Sequence, residues 1–265
     1  MRIVRYTFAD KTSYGIVEGT QLHPCDGDPY SGLSRQTAVL DPAAVRLLSP
    51  VDPPNIICIG LNYRKHAEET GIPIPAEPLI FIKATTSLCG PGDAIVLPAQ
   101  GPDKVDYEAE LAIVIGKRAR DITENEVPDF ILGYTVANDV SNRAAQFTDG
   151  QWARAKSYDT FCPAGPAIVT DIDPDNLKIT CRLDGRMMQD SSTSDMIFSC
   201  RRIVSHLSRC FTLLPGTLIL TGTPAGVGFK RNPPVFLRPG QIVEAEIEGI
   251  GTLVNPVTGG KRRPE

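Results

Sequence analysis

The sequence lacks any uninterrupted apolar run long enough to cross a bilayer, and its opening, MRIVRYTFADKTSYG, sets charged and polar residues where an export signal needs an apolar stretch. A cytoplasmic protein without a membrane partner is expected. It also lacks a C-x-x-C pair. Its seven cysteines, at 25, 58, 89, 162, 181, 200 and 210, are odd in number and widely spaced, most in apolar contexts such as IICIG. That spacing argues for reduced, buried thiols and against a disulfide framework. No basic stripe is present: the 27 Lys and Arg are scattered among 31 Asp and Glu, for a net charge of −4, so the electrostatic footprint of a nucleic-acid binder is missing. GLNYRKHAEETG lacks the second and third glycines of a dinucleotide fingerprint, and TGTPAGVG lacks the Gly-Lys-Ser/Thr of a phosphate loop. There is no internal repeat and no low-complexity tract beyond GGKRRPE, a tail expected to be exposed and frayed.

What the chain does contain is short apolar strands separated by turn residues, with 23 Gly and 23 Pro in 265 residues. The first 50 residues read as a hairpin (1 to 10 and 13 to 18), a loop at DGDPYSG, one short helix in DPAAVRLLSP and a Pro-rich linker. A boundary near residue 50 then separates a small N-terminal domain, 1–50, from a catalytic domain, 51–265. In the latter, strands are expected at 56–60, 79–82, 94–97, 110–115, 131–137, 166–170, 177–183, 217–221 and 242–248. Helical periodicity is confined to 63–70, 141–147 and 196–210. Strands that outnumber helices without alternating regularly predict a mixed α+β, β-rich fold, a sandwich or roll rather than a doubly wound sheet.

One strand carries acids where apolar side chains belong. In VDYEAELAIVIG, Asp106, Glu108, Glu110, Ala112 and Val114 share one face, and Tyr107, Ala109, Leu111, Ile113 and Ile115 the other. Both faces turn apolar toward the C-terminal end, so the strand is covered on both sides and its acids must protonate, pair or hold a cation. The run QIVEAEIEGIG supplies a contrast: Glu244, Glu246 and Glu248 also alternate, but their face stays polar throughout, as on an ordinary strand with one side in water. In ILGYTVANDVSNRAAQ a second apolar strand ends at Asn138 and Asp139, where Asp139 is either a cap or a third acid. Three carboxylates would make an oxygen-only site suited to Mg²⁺ or Mn²⁺.

His66, one of three histidines, stands three residues before Glu69 on a short helix. The pair is either a chance neighbour on an exposed face or a carboxylate that orients a proton-transferring imidazole. The Gly and Pro of TGIPIPAEP after it fit a movable lid. Lys156, in WARAKSYDTFCPAGP, reads by default as an exposed lysine in a polar insertion, or else as a cation facing an oxyanion. LILTGTPAGVG ends a strand in a Gly-rich turn, ordinary or able to bind a carboxylate through its hydroxyls and N–H groups.

In order, GLNYRKHAEE, VDYEAELAIVIG, GYTVANDVSNRAAQ, AKSYDTFCPAGP and LILTGTPAGVG resemble the fumarylacetoacetate hydrolase family over residues 51 to 255. The resemblance implies a β-sandwich roll catalytic domain, a homodimer, and Mg²⁺ or Mn²⁺ held by Glu108, Glu110 and Asp139. It implies that His66 and Glu69 activate water or shuttle a proton and that Lys156 steadies a negative oxygen. Arg64, Lys83, Gln146 and Thr223 are implied to bind substrate. FIKATTS departs from the pattern, with Ala84 where many members have proline, which bears on the pocket wall beside Lys83. The implied activity is metal-dependent hydrolysis of a carbon-carbon bond in acylpyruvate-type 2,4-dioxo acids through an enolate. Two alternatives share the scaffold: decarboxylation of oxaloacetate-like diacids, and isomerisation of 2-oxo or 2-hydroxy dienoic diacids from aromatic catabolism. A third, from another class, is a non-catalytic 2-oxo acid binding protein.

Overall fold

The N-terminal hairpin forms as expected, from β1 (Arg2–Phe8) and β2 (Lys11–Glu18), and its two turn residues, Ala9 and Asp10, both have positive φ, the backbone of a tight two-residue hairpin turn. The structure is a computed structural model describing residues 1–260; the KRRPE end of the tail lies outside the described residues. The loop expected at DGDPYSG is shorter than foreseen. It turns the chain between β3 (Gln21–Asp28) and β4 (Gly32–Arg35), and the Asp28 carboxylate accepts from the N–H groups of Tyr30 and Ser31. The short helix expected next is a single 3-10 turn, Pro42–Ala44, because the following β5 (Arg46–Leu47) pairs with β1 and that pairing overrides local helical preference.

The chain continues through β6 (Ile56–Gly60), α1 (Arg64–Thr70), β7 (Leu79–Lys83), β8 (Leu88–Cys89), β9 (Ile95–Leu97), β10 (Val105–Asp106) and β11 (Ala109–Ile115). Next come β12 (Ile131–Asn138), β13 (Ser141–Asn142), α2 (Arg143–Thr148), α3 (Ala153–Lys156) and β14 (Cys162–Val169). β15 (Lys178–Leu183), β16 (Arg186–Ser192), α4 (Cys200–Cys210), β17 (Leu218–Leu220), β18 (Ile242–Ile247) and β19 (Gly251–Gly259) complete it. Several elements differ from these expectations, four of them in the catalytic domain's framework. β14 starts four residues early, hidden by Pro163 and Pro166; α4 starts at Cys200, where Ser199 caps it by accepting the Arg202 N–H; β16 and β19 were not foreseen.

Among the described residues the larger sheet runs β4-β3-β2-β1-β14-β12-β11-β17-β6-β7, so the N-terminal strands join it through β1 against β14. A second sheet, β16-β15-β18-β19-β9, packs across it. Leu111, Ile113 and Ile115 of β11 meet Ile179, Val243 and Ile247 of the second sheet in one core, while Ala112 and Val114 join Ile56, Cys58 and Leu220 in another. β11 is therefore covered on both faces, as its composition required. On β18 the contrast holds too: Val243, Ala245 and Ile247 are buried, Glu244 is half-buried, and Glu246 and Glu248 are exposed. The acid-bearing stretch is not one strand, however. It breaks at Tyr107 and Glu108, and β10 turns away to pair with β13. The whole is a β-rich sandwich roll with few helices, and no described helix is long and apolar enough to cross a membrane.

Candidate active site

The antiparallel register of β11 and β12 sets Ala109 opposite Asn138, and one step further the Asp139 N–H donates to the Glu108 carbonyl at 2.8 Å. Residues opposed across a ladder share a face, so Glu108 and Asp139 point the same way, and Glu110 joins them two residues along. Their carboxylate oxygens lie within 4.8 Å of one another, and all three side chains are buried. The Asn138 side chain holds the break open by accepting the Glu108 N–H at 3.0 Å.

Two of the three acids have cationic partners. Lys156 Nζ bridges Glu108 at 2.9 Å and Asp139 at 2.5 Å, Lys83 Nζ reaches the other Asp139 oxygen at 2.6 Å, and Arg143 donates to Glu108 at 2.6 Å and to Asp106 at 2.9 Å. Burial alone would raise the Glu108 carboxyl, but Lys156 and Arg143 outweigh it and hold that group at about 2. Burial would likewise lower the Lys156 ammonium, and Asp139 and Glu108 reverse that, keeping it charged. Glu110 is different. It is 1% exposed, its only hydrogen bond among the described residues is from the Gly222 N–H at 2.6 Å, and burial together with Asp139 and Glu108 pushes its carboxyl well above the ordinary range. Asp106, Glu108 and Asp139 balance the cations Lys83, Arg143 and Lys156, so ionising Glu110 would leave one negative charge in a buried cluster, which is why its carboxyl holds a proton without a cation. Oxygen-only donors, close spacing and a buried acid that only an added cation would let ionise fit a hard divalent cation.

The Gly-rich turn after β17 binds carboxylates, but they are the protein's own. Gly222 donates to Glu110, and its φ of 98° with a Cβ position 2.8 Å from the Asn62 Cβ leaves room for glycine alone. Gly226 N–H donates to Glu69 at 3.0 Å, and the other Glu69 oxygen lies 3.0 Å from His66 Nδ1. His66 is thus a buried imidazole oriented by a carboxylate that is itself held, not an exposed neighbour of one.

A cavity of about 300 Å³ joins His66, Lys156, Gln146, Thr223 and the three acids. Two of the residues expected to bind substrate, Arg64 and Lys83, lie outside the cavity lining. Arg64 does not line the cavity; its guanidinium donates to the backbone carbonyls of Asp195 and Met196. Lys83 is buried behind Asp139, so the Ala84 departure bears on a supporting residue and not on the cavity wall. Thr223 lines the cavity with its hydroxyl engaged, donating to the Ala109 carbonyl and accepting from Gln189. Gln146 accepts from Arg143 at 2.8 Å. Arg143 itself went unnoticed as a site residue, although its place three before Gln146 on α2 is a helix-face signal. The outer wall, of Phe81, Trp152, Phe147, Phe229 and Ile72, was also missed, and no single motif encodes it.

Three buried acids, a held His-Glu pair and a bridging lysine on a β-sandwich roll define a class, and comparison with known proteins agrees. The model of the fumarylacetoacetate (FAA) hydrolase C-terminal domain matches residues 55–258, and an Rv2993c-like N-terminal model matches residues 1–50. The chain belongs to the fumarylacetoacetate hydrolase family of enzymes. Its relatives include the mitochondrial oxaloacetate tautomerase Fahd2a of Rattus norvegicus, 44% identical over 230 residues, covering 85% of this chain and 73% of that protein. Among solved structures it resembles a 2-hydroxyhepta-2,4-diene-1,7-dioate isomerase from Mycobacterium marinum, at 41% identity with a TM-score of 0.89 over 99% of this chain and all of that one. A 5-carboxymethyl-2-hydroxymuconate delta-isomerase from Mycobacterium smegmatis is similar at 40% identity and TM-score 0.90, over 98% of this chain and all of that one.

Proposed function

We propose that this enzyme moves a proton between the oxygen and the adjacent carbon of a 2-oxo diacid, as a keto-enol tautomerase or isomerase of oxaloacetate-like substrates. The observation that carries this reading is Glu110, a buried acid without a cation partner among the described residues, beside two others, together with His66 on the same cavity and oriented by Glu69. Glu108, Glu110 and Asp139 would hold Mg²⁺ or Mn²⁺. When bound, the ion supplies a Lewis acid for the carboxylate and keto oxygens of the substrate. With Glu110 ionised toward such an ion, Lys83, Lys156, Arg143 and the ion would outweigh the four carboxylates by one positive charge, which favours an anionic ligand.

The chain's own residues account for the proton. Glu69 accepts from His66 Nδ1, which leaves Nε2 free to exchange a proton with the ligand. In the enol-to-keto direction a proton leaves the enol oxygen and one is delivered to the neighbouring carbon, so the reaction needs no co-substrate. Lys156, held charged, offers a donor to the oxygen on which negative charge builds. The names of the relatives favour this reading over the carbon-carbon hydrolysis anticipated from sequence. Hydrolysis of acylpyruvates stays as a second reading because the wall of Phe81, Trp152 and Phe147 suits an acyl chain.

The test is decay of the ultraviolet absorbance of enol-oxaloacetate with chelator and then with Mg²⁺ or Mn²⁺. Metal-dependent acceleration lost in His66→Gln supports the proposal. Acylpyruvate cleavage without acceleration of enol decay would replace it by the hydrolytic reading.

A further inference from the structure

Asp106 plays no direct part in the chemistry above, yet it is fully buried and accepts from five N–H groups. One oxygen takes the Tyr107 and Gly228 N–H groups, each at 2.8 Å. The other takes Phe229 N–H at 2.9 Å and Arg143 at 3.1 Å from Nε and 2.9 Å from Nη2. Two paths leave this carboxylate. Through Arg143, which also donates to Glu108, it reaches the acid cluster. Through Gly228 and Phe229 it pins the turn whose Gly226 N–H donates to Glu69, and so it reaches His66. The approach is close: a Cβ on Gly228 would lie 2.5 Å from Asp106 Oδ1 and 2.0 Å from the Val235 carbonyl oxygen.

The geometry points to Asp106 as a positioning residue that locks the His66–Glu69 pair to the Glu108 arm of the acid cluster, so that the proton-transfer group and the cation site hold one fixed relation. The inference rests on the proposed proton transfer for its catalytic consequence, but not for the lock itself. An Asn at 106 has one acceptor oxygen, so its amide group would face two or three of the five donors and release either the turn or Arg143.

The experiment uses Asp106→Asn, Glu69→Gln and the double variant of the full chain. In metal-free Asp106→Asn, amide exchange should quicken at Gly228, Phe229 and also Gly226, whose acceptor Glu69 is untouched. Mn²⁺ affinity by calorimetry should fall about tenfold or more, as for other residues that orient ligands. For enol decay, kcat should fall at least about tenfold with KM within about threefold, and the double variant should lose no more than Glu69→Gln alone. A Gly226 amide that stays as protected as in the wild type, or kcat losses that simply multiply, would overturn the lock. Should Asp106→Asn not fold, Glu69→Gln tests it from the other end, because the lock requires faster exchange at Gly228 and Phe229 there too, and unchanged exchange refutes it. A wild type that neither binds Mn²⁺ nor accelerates enol decay would defeat the proposed function, while the exchange readings would still decide the lock.

Discussion

Replacing Glu110 by Gln should move two measurements in opposite directions. In the metal-free protein, burial raises this carboxyl well above its ordinary 4.5, and Asp139 and Glu108 add to the effect. The folded state therefore holds the proton more tightly than the unfolded state does. The stability this group contributes is full below pH 4.5 and is lost as pH rises through the higher folded value, at about 1.4 kcal/mol per unit of pKa difference. Gln has the same shape and keeps an oxygen for the Gly222 N–H, so near neutral pH the metal-free variant should match or exceed the wild type. A gain of about 1 kcal/mol would appear as roughly 2–4 °C in Tm for a chain of this size.

With Mn²⁺ the sign reverses, because one of three anionic donors is gone. A loss of about 100-fold in affinity is about 2.7 kcal/mol. At a metal concentration about 100 times the wild-type Kd, the wild type gains about 2.7 kcal/mol, and the variant, then near its own Kd, gains only about 0.4 kcal/mol. Thermal melts of both proteins in chelator and in Mn²⁺, repeated from acidic to neutral pH, measure this directly. A variant that is less stable than the wild type in chelator, yet keeps the full Mn²⁺ shift, would refute the argument that Glu110 is held for a cation.

Lys156→Met should leave Glu108 and Asp139 short of a buried partner, costing about 3–5 kcal/mol in chelator, seen as a lower denaturant midpoint, with part of the loss recovered in Mn²⁺. His66→Gln should cut kcat for enol decay by about 10²–10⁴-fold, with Mn²⁺ affinity by calorimetry unchanged. Gly222→Ala forces a side chain into a backbone at φ 98° against Asn62, and should destabilise by about 1–3 kcal/mol in thermal melts. It should also weaken Mn²⁺ binding, since the Gly222 N–H is what holds Glu110. Asp129→Asn, remote from the cavity on an exposed turn, should leave both melts and turnover unchanged.

The acid triad was legible because burial leaves a compositional trace. Ala112 and Val114 continue the face of Glu110 as buried apolar residues, whereas on the face of Glu246 and Glu248 the one apolar strand residue, Ile242, stays exposed with them. Lys156 left no such trace of its own. Its surroundings in sequence are polar, and only the acids brought to it by β11 and β12 make a buried ammonium affordable in electrostatic terms. The placement of Arg64 was illegible for a related reason. On a seven-residue helix, one position decides whether a side chain faces the cavity or the neighbouring chain, and the carbonyls of Asp195 and Met196 that claim it are some 130 residues away in sequence. Local pattern identifies which residues must be buried; the partner that decides their role comes from the sheet register.

That division also explains why the family was easier to read than the reaction. Hydrolysis, decarboxylation and tautomerisation all begin with an anion brought to a cation and a keto oxygen stabilised by a donor, and the acids, Lys156 and the His66–Glu69 pair serve each of them. They part at the next step, where either water meets a distal carbonyl or a proton meets carbon. The outer cavity, which neither the acids nor His66 fill, is lined by Ile72 just past α1, Phe147 on α2 and Phe229 beside Asp106. Ile72 and Phe147 are more than half exposed, and Phe147 packs against Phe229 with ring centres 5.6 Å apart and planes tilted by 60°. On the proposed tautomerase reading, this apolar rim over a bound diacid limits the water that hydrolysis needs, whereas on the hydrolytic reading an acyl chain would occupy the rim and leave water to the His66 side.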